Sequence, residues 1–167
     1  MFIASGAPQT LAVAQSCTAQ GYKPTYIAAE NSLSNSSLAQ PAINGAVGEI
    51  TNLSATDMAN PEIQAMYKAL NTFKPGLVSS AEFNPGASMV WAAGVLFQAA
   101  AEAGHLGDNP TPAGMLDGLY ALKGETLGGL TAPLTFTRGK PTSLPCWFYF
   151  QVKDGKFTTL GTTPACA

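Results

Sequence analysis

The first 29 residues carry the pattern that most restricts the fold of this chain. Residues 2–6, FIASG, form a short apolar run, and residues 9–20 follow with helical periodicity that stops at Gly21. A second apolar run, TYIAA, occupies residues 25–29. This order of strand, helix and strand predicts two parallel strands joined by a right-handed crossover.

The ends of these two predicted strands carry the candidate binding residues. In a parallel unit, ligands bind at the carboxyl ends of the strands, and Ser5, Gly6 and Ala7 follow the first strand. Glu30 follows the second strand as a lone acid at the end of an apolar run. A lone carboxylate in a cleft can pair with a cationic group brought by a ligand. The alternative for Glu30 is a solvated acid at a turn, and for Ser5–Ala7 it is a plain strand-to-helix turn.

The composition excludes several classes of function. The chain has 167 residues, enough for one domain or two small lobes, and 46% of them are hydrophobic. Charged residues make up only 11%, the net charge is −2, and there is one arginine, so no basic surface for nucleic acid is expected. No apolar run approaches the roughly 18 residues of a membrane span, and the start, MFIASG, does not read as a signal peptide.

Further helices and strands are predicted downstream. Asn60, Pro61 and Glu62 are typical of a helix start, since they supply a cap, a proline in the first turn and an early acid. Residues 86–104 are apolar nearly all round, which predicts a buried helix. The other predicted elements are a strand within 45–53, a helix from Thr111-Pro112 to about Leu122, an extended segment at 128–139, and a hairpin over 146–161 with a type I′ turn at Asp154-Gly155.

The three cysteines indicate no metal site. Cys17 lies in a helical pattern and is interpreted as a small buried residue. Cys146 and Cys166 bracket the predicted hairpin, and the sequence leaves open whether they form a disulfide or stay free thiols. There is no CxxC motif and a single histidine, so zinc binding is not expected.

No catalytic motif is present in the sequence. The single histidine, His105, stands at a predicted helix end, and a Ser–His–acid triad would need it inside a cleft. There is no GxSxG motif and no glycine-rich phosphate loop. We therefore expect a chain that is not an enzyme and holds no cofactor.

Laid end to end, the segments resemble a known protein family. They are similar to the periplasmic solute-binding proteins of the branched-chain amino-acid (Leu/Ile/Val-binding) type, which serve ABC importers. The resemblance covers essentially the whole chain and rests on the order of its segments. These are FIASGAP, GYKPTYIAAE, NGAVGEI, NPEIQAMYKAL, an alanine-rich helix ending in AEAG, TPAGMLDGLYAL, GGLTAPLTF and WFYFQVKDGKF.

The resemblance implies an α/β architecture, a partial two-lobed periplasmic-binding-protein type 1 fold. Family members are about twice as long, and this chain corresponds to the later part of their fold. Residues 1–55 would form a Rossmann-like βαβ segment of the second lobe. Residues 56–130 would form the helical segment that returns to the first lobe, and residues 131–167 the last strands and hairpin.

The resemblance also assigns roles and partners. Glu30 stands where amino-acid-binding members place the acid that receives the ligand's α-ammonium group, and Ser5, Gly6 and Ala7 match the segment that lines the cleft. Some members have an aromatic residue where this chain has Ala7, which implies a roomier or less apolar pocket, or a different ligand. The implied ligand is an amino acid or a similar small polar metabolite, and the implied partner is an ABC permease. The implied location is periplasmic, or extracytoplasmic with a lipid anchor.

Two other functions remain open at this point. The chain could be a truncated, ligand-incompetent module with a structural role, associating as a homodimer through apolar surface that another part of the fold would cover. It could also be a ligand-sensing domain of a regulator, which would need an attached output domain.

Overall fold

The computed structural model describes residues 1–29, 31–107 and 110–167. Four α-helices, eight strands and two short 3-10 helices (Asn35–Ser37 and Pro41–Ile43) are present in this part of the chain. The α-helices and strands are numbered below. In chain order they are β1 (Phe2–Ile3), α1 (Ala7–Ala19), β2 (Ile27–Ala29), β3 (Val47–Ile50), α2 (Pro61–Phe73), α3 (Ala87–Ala103), α4 (Pro112–Ala121), β4 (Lys123–Glu125), β5 (Leu134–Thr135), β6 (Cys146–Lys153), β7 (Lys156–Thr159) and β8 (Ala165–Cys166).

Six strands form one mixed sheet in the order β1-β2-β3-β6-β7, with β8 paired to β6. The first three strands run parallel to one another, with Phe2 opposite Ile27 and Ile27 opposite Val47. Strand β6 runs antiparallel to β3, with Gln151 opposite Val47. The parallel strand–helix–strand unit predicted for the first 29 residues is confirmed, with α1 joining β1 to β2. Strands β4 and β5 pair separately.

One face of the large sheet carries the hydrophobic core. Ile3, Ala28 and Phe150 lie in one row across it, and all three are buried. Gly48 belongs to the same row, and a Cβ at that position would collide with the Phe150 ring. The glycine therefore lets the aromatic ring lie flat against the strand, which explains why a residue with poor strand propensity stands in the middle of β3.

The opposite face of the sheet is less covered. Phe2 and Ile27, neighbours across β1 and β2, both have exposed side chains. Sheets with parallel strands usually carry helices on both faces because their strands are apolar on both sides. Here the described residues cover only one side of the β1–β2 pair well.

Helix α2 begins as its sequence predicts. The Asn60 side-chain Oδ1 accepts hydrogen bonds from the Glu62 N–H at 2.9 Å and the Ile63 N–H at 3.3 Å. Pro61 occupies the first turn, and Ile63 and Met66 are buried on the inner face of the helix. The cap satisfies the N–H groups of Glu62 and Ile63, and Pro61 has no N–H that needs a partner, so the local sequence accounts for this boundary.

Helix α3 forms at the predicted place, but its predicted burial is wrong. One flank packs inward through Ser88, Ala92 and Ala100, whereas the side chains of Val90 and Phe97 are 74% and 63% exposed. The helix packs closely on α4, where a Cβ at Gly118 would collide with the Ala100 carbonyl. Periodicity predicts an apolar surface, but burial also needs a partner, and no described residue covers this flank.

The carboxyl-terminal hairpin is confirmed, including its turn. Strands β6 and β7 pair antiparallel, and Asp154 and Gly155 have φ values of 51° and 71°. Positive φ at both central residues defines the type I′ turn. The structure also settles the state of the two cysteines, because β8 lies beside β6 and a disulfide joins Cys146 to Cys166.

The division of the chain into residues 1–55, 56–130 and 131–167 stays a prediction. The large sheet takes β1, β2 and β3 from the first segment and β6, β7 and β8 from the third. The second segment contains α2, α3, α4 and β4, and none of these belongs to the large sheet.

Candidate functional site

The carboxyl ends of the three parallel strands lie at one edge of the sheet. Ser5 follows β1, Ser32 follows β2, and Thr51 and Asn52 follow β3. In open α/β sheets, this edge is where ligands bind. The candidate site is therefore built from three loops that the sheet register brings side by side.

The Ser5–Ala7 loop lies where the sequence predicts, with Ser5 and Gly6 between β1 and α1 and Ala7 as the first residue of α1. Gly6 is the residue before the helix, with extended backbone angles of −64° and 158°, and its carbonyl accepts the first helical hydrogen bond from Thr10 N–H at 3.0 Å. Gly6 is exposed, while Ser5 and Ala7 are half-buried. The loop can thus offer a serine hydroxyl and backbone groups to a molecule at this edge. Its contact with a ligand stays a prediction.

Glu30 lies outside the described residues, so its predicted role in binding an ammonium group also stays a prediction. The residues on either side of it are described. Ala29 ends β2 half-buried, Asn31 is exposed, and Ser32 is fully buried.

Ser32 connects the loop after β2 to the end of β1. Its Oγ accepts a hydrogen bond from the Ser5 N–H at 3.3 Å and donates one to the Ile3 carbonyl at 3.4 Å. Its own N–H donates to the Ala29 carbonyl at 2.9 Å, which keeps Ser32 close to the end of β2. One buried hydroxyl therefore ties together the two loops that the sequence singles out.

Asn52 is a residue of this edge that sequence reasoning missed. It is buried, and its Nδ2 donates to the Leu53 carbonyl at 2.9 Å and to the Ser88 Oγ at 2.8 Å. The bond to Ser88 connects the residues after β3 to the first turn of α3. The sequence did contain a signal for Asn52. A strand was predicted within residues 45–53, and residues at the carboxyl end of that strand are placed to bind a ligand for the same reason as those after β1 and β2.

A groove of about 400 Å³ opens beside Asn52. It runs between α3 and the segment around β5, and no charged side chain of the described residues lines it. Its lining residues are Thr51, Asn52, Met89, Ala92, Ala93, Leu96, Leu127, Thr131, Leu134, Phe136, Thr142 and Leu144. A similar groove of about 420 Å³ lies at the opposite edge, beside Lys23, Thr25 and Gly45, which precede β2 and β3. The position of the first groove, at the carboxyl end of β3, is the one that sheet topology favours for a ligand.

One ion pair is present among the described residues. The Arg138 guanidinium pairs with Asp117 on α4 at 2.6 Å and lies 4.6 Å from the centre of the Tyr120 ring. Both charged groups of this pair are exposed, so the pair adds little stability. Burial raises the pKa of the half-buried Tyr67 above its usual value.

Within residues 1–29, 31–107 and 110–167, no cluster of three or more His, Cys, Asp or Glu side chains is placed to hold a metal ion. His105 is exposed just beyond the end of α3. None of the described helices combines the length and apolar character needed to cross a bilayer.

No family model matches the sequence, and no curated protein matches it. Solved structures do match the fold. A fatty acid ABC transporter substrate-binding protein from Thermomonospora curvata is 16% identical, with a TM-score of 0.75 over 97% of this chain and 42% of its own. A branched-chain amino acid ABC transporter protein from Thermus thermophilus, with bound valine, is 15% identical, with a TM-score of 0.75 over 99% of this chain and 46% of its own.

An ABC transporter substrate-binding protein from Aeropyrum pernix is 15% identical, with a TM-score of 0.69 over 96% of this chain and 43% of its own. The chain thus has the fold of ABC-transporter substrate-binding proteins, and the resemblance read from the sequence is confirmed at the level of fold. It spans less than half the length of these matched structures.

Proposed function

We propose that this chain forms one wall of a solute-binding cleft in a non-catalytic, extracytoplasmic component of an ABC importer. The solute is an amino acid or a similar small polar metabolite. The observation that carries the proposal is the arrangement of the carboxyl edge, where the loops after β1, β2 and β3 lie side by side on a substrate-binding-protein fold.

In this proposal the two loops singled out by the sequence divide the recognition of the solute. The Glu30 carboxylate receives the ammonium group, and the Ser5–Ala7 loop lines the adjacent part of the cleft. The opposite wall belongs to the portion of the fold that lies outside the match with the solved structures. Closure of the two walls excludes water and strengthens the ion pair, since charges attract more strongly where the dielectric constant is lower.

The partner and the location follow from the same proposal. Closed substrate-binding proteins present their surface to a membrane permease, so we propose an ABC permease as the partner of the complete receptor. The disulfide between Cys146 and Cys166 supports an oxidising, extracytoplasmic location, because structural disulfides are rare in the cytosol.

Replacing Glu30 by glutamine should weaken the binding of L-valine or L-leucine by about 1.5–3 kcal/mol, which corresponds to a roughly ten- to hundredfold larger Kd. The substitution keeps the shape of the side chain and removes the charge that would pair with the α-ammonium group. Isothermal titration calorimetry of the 167-residue chain with each amino acid measures the effect.

Glu49→Gln is the matched control, since Glu49 is a half-buried acid on the neighbouring strand β3. It should leave Kd within about twofold. Equal affinities for the unsubstituted chain and Glu30→Gln would remove Glu30 from the site. If the unsubstituted chain binds none of the amino acids at millimolar concentration, the assignment of amino-acid recognition to the groups of this wall is contradicted.

A second candidate function, a self-associating structural module, is favoured by the outer flank of α3. Val90 and Phe97 stand seven residues apart on one side of this helix, and both side chains are largely exposed. Residues at this spacing share a helix face. Exposed apolar stripes of this kind mark surfaces that associate.

If the chain self-associates through α3, its mass in solution should rise with concentration, and the double substitution Val90→Gln, Phe97→Gln should return it to the monomer. The reason is that polar side chains do not gain from leaving water. Light scattering after size-exclusion chromatography measures the mass. Leu116→Gln on α4, which replaces another exposed apolar residue, is the control and should leave the mass unchanged. A monomer at every concentration would exclude this second candidate.

A further inference from the structure

We propose that Ser32 is a positioning residue that holds the Ser5–Ala7 loop against the end of β2, so that the loops after β1 and β2 form one rigid wall. Its consequence for solute binding rests on the proposed function. The connection itself is a property of the fold and can be tested without any ligand.

The geometry supports a bridging role. The pairing between β1 and β2 ends at Ile3 and Ala28, so the chain leaves the sheet at Ala4 and Ser5. Beyond that point the Ser32 Oγ connects the two segments. It accepts a hydrogen bond from the Ser5 N–H at 3.3 Å and donates one to the Ile3 carbonyl at 3.4 Å. A hydroxyl can do both at once, since it has one donor and two acceptor positions.

The burial of Ser32 restricts its hydroxyl to hydrogen-bond partners inside the protein. Ser32 is fully buried, its bond to the Ile3 carbonyl is buried, and its bond to the Ser5 N–H is partly buried. Backbone polar groups without a partner are costly away from water. Loss of the hydroxyl would remove the acceptor of the Ser5 N–H and the bond that ties the loop after β2 to the end of β1.

A nearby serine, Ser37, makes a side-chain hydrogen bond that is only local. Ser37 is also buried, but its Oγ accepts from the Ser34 N–H, three residues away, at 3.3 Å. The partners of Ser32 are instead 27 and 29 residues away, in the loop after β1 and at the last residue of β1. Ser37 therefore serves as a matched control, with the same residue type, similar burial and the same hydrogen-bond length.

Amide hydrogen exchange measured by NMR on the full 167-residue chain tests the connection. In Ser32→Ala, the Ser5 amide should exchange roughly three- to tenfold faster than in the unsubstituted chain, which is the effect of losing one hydrogen bond. In Ser37→Ala, the Ser34 amide should exchange faster while the Ser5 amide stays unchanged. Ser32→Thr keeps the hydroxyl and should restore slow exchange at Ser5.

A measurement on the unsubstituted chain covers the case in which Ser32→Ala does not fold. The Ser5 amide should exchange more slowly than the Gly6 amide, for which the described part of the chain offers no acceptor. Equal exchange at Ser5 and Gly6, or an unchanged Ser5 rate in Ser32→Ala, would overturn the proposal.

Calorimetry with L-valine then separates this inference from the proposed function. If both hold, Ser32→Ala should raise the Kd roughly two- to tenfold, with Ser37→Ala and Ser32→Thr near the unsubstituted value. If the unsubstituted chain does not bind L-valine but the exchange results are as expected, Ser32 positions the loop and the amino-acid proposal fails. If L-valine binds tightly and Ser32→Ala has neither an exchange effect nor a binding effect, the positioning role fails and the proposed function stands.

Discussion

Replacing Phe150 by alanine is expected to lower the free energy of unfolding by about 3–5 kcal/mol, the usual cost of removing a fully buried aromatic ring. Phe150 lies at the centre of β6 with no exposed surface. Its ring lies over Gly48 and meets the Phe157 ring edge-on, with centres 5.6 Å apart. Urea unfolding followed by circular dichroism measures the change.

The size of the effect follows from what surrounds the ring. Gly48 has no side chain that could move into the space left by the aromatic ring, so a cavity would remain beside the strand. Phe73→Ala is the matched control, because Phe73 is 84% exposed at the end of α2. It should change the free energy by no more than about 0.5 kcal/mol. Similar losses for the two variants would contradict the position of Phe150 in the core.

Replacing both Cys146 and Cys166 by serine should lower the free energy of unfolding by about 3 kcal/mol. The disulfide closes a loop with a sequence separation of 20, and in the chain-entropy model its loss frees the unfolded chain. Chemical unfolding of the oxidised chain and of the double variant, under identical conditions, gives the difference.

Reduction provides the control for this experiment. A phosphine reductant should destabilise the unsubstituted chain by the same amount and leave the double variant unchanged. The thiol count of the unfolded, unreduced chain should be one, from Cys17, which is free in the structure. Three titratable thiols, or no response to reduction, would contradict the disulfide and weaken the case for an oxidising location.

These two stability tests bear on the candidate site, because Phe150 and the disulfide both belong to β6, which pairs directly with β3. Strand β3 in turn carries Thr51 and Asn52 to the carboxyl edge. A loss of order in β6 would therefore disturb this edge, and binding measurements should be compared only among variants of similar stability.

Much of the fold could be predicted from short stretches of sequence. The cap at Asn60 and the turn at Asp154-Gly155 depend on residues close together in the chain, and the parallel pairing of the first two strands follows from the order of strand, helix and strand. Capping hydrogen bonds, positive φ angles and strand–helix–strand order are local rules that a few residues can satisfy. The carboxyl-edge location of the Ser5–Ala7 loop follows from the same rules.

Other features required the tertiary structure. An apolar helix such as α3 can bury either flank, and only its packing on α4 shows which flank stays exposed. The bonds of Asn52 to Ser88 and of Ser32 to Ser5 join residues 36 and 27 positions apart, so no local sequence pattern predicts them. The sequence by itself determined most of the helices and strands and the edge of the sheet at which the Ser5–Ala7 loop lies. The tertiary structure decided which polar groups hold that edge together, because a buried hydrogen bond depends on where distant segments meet.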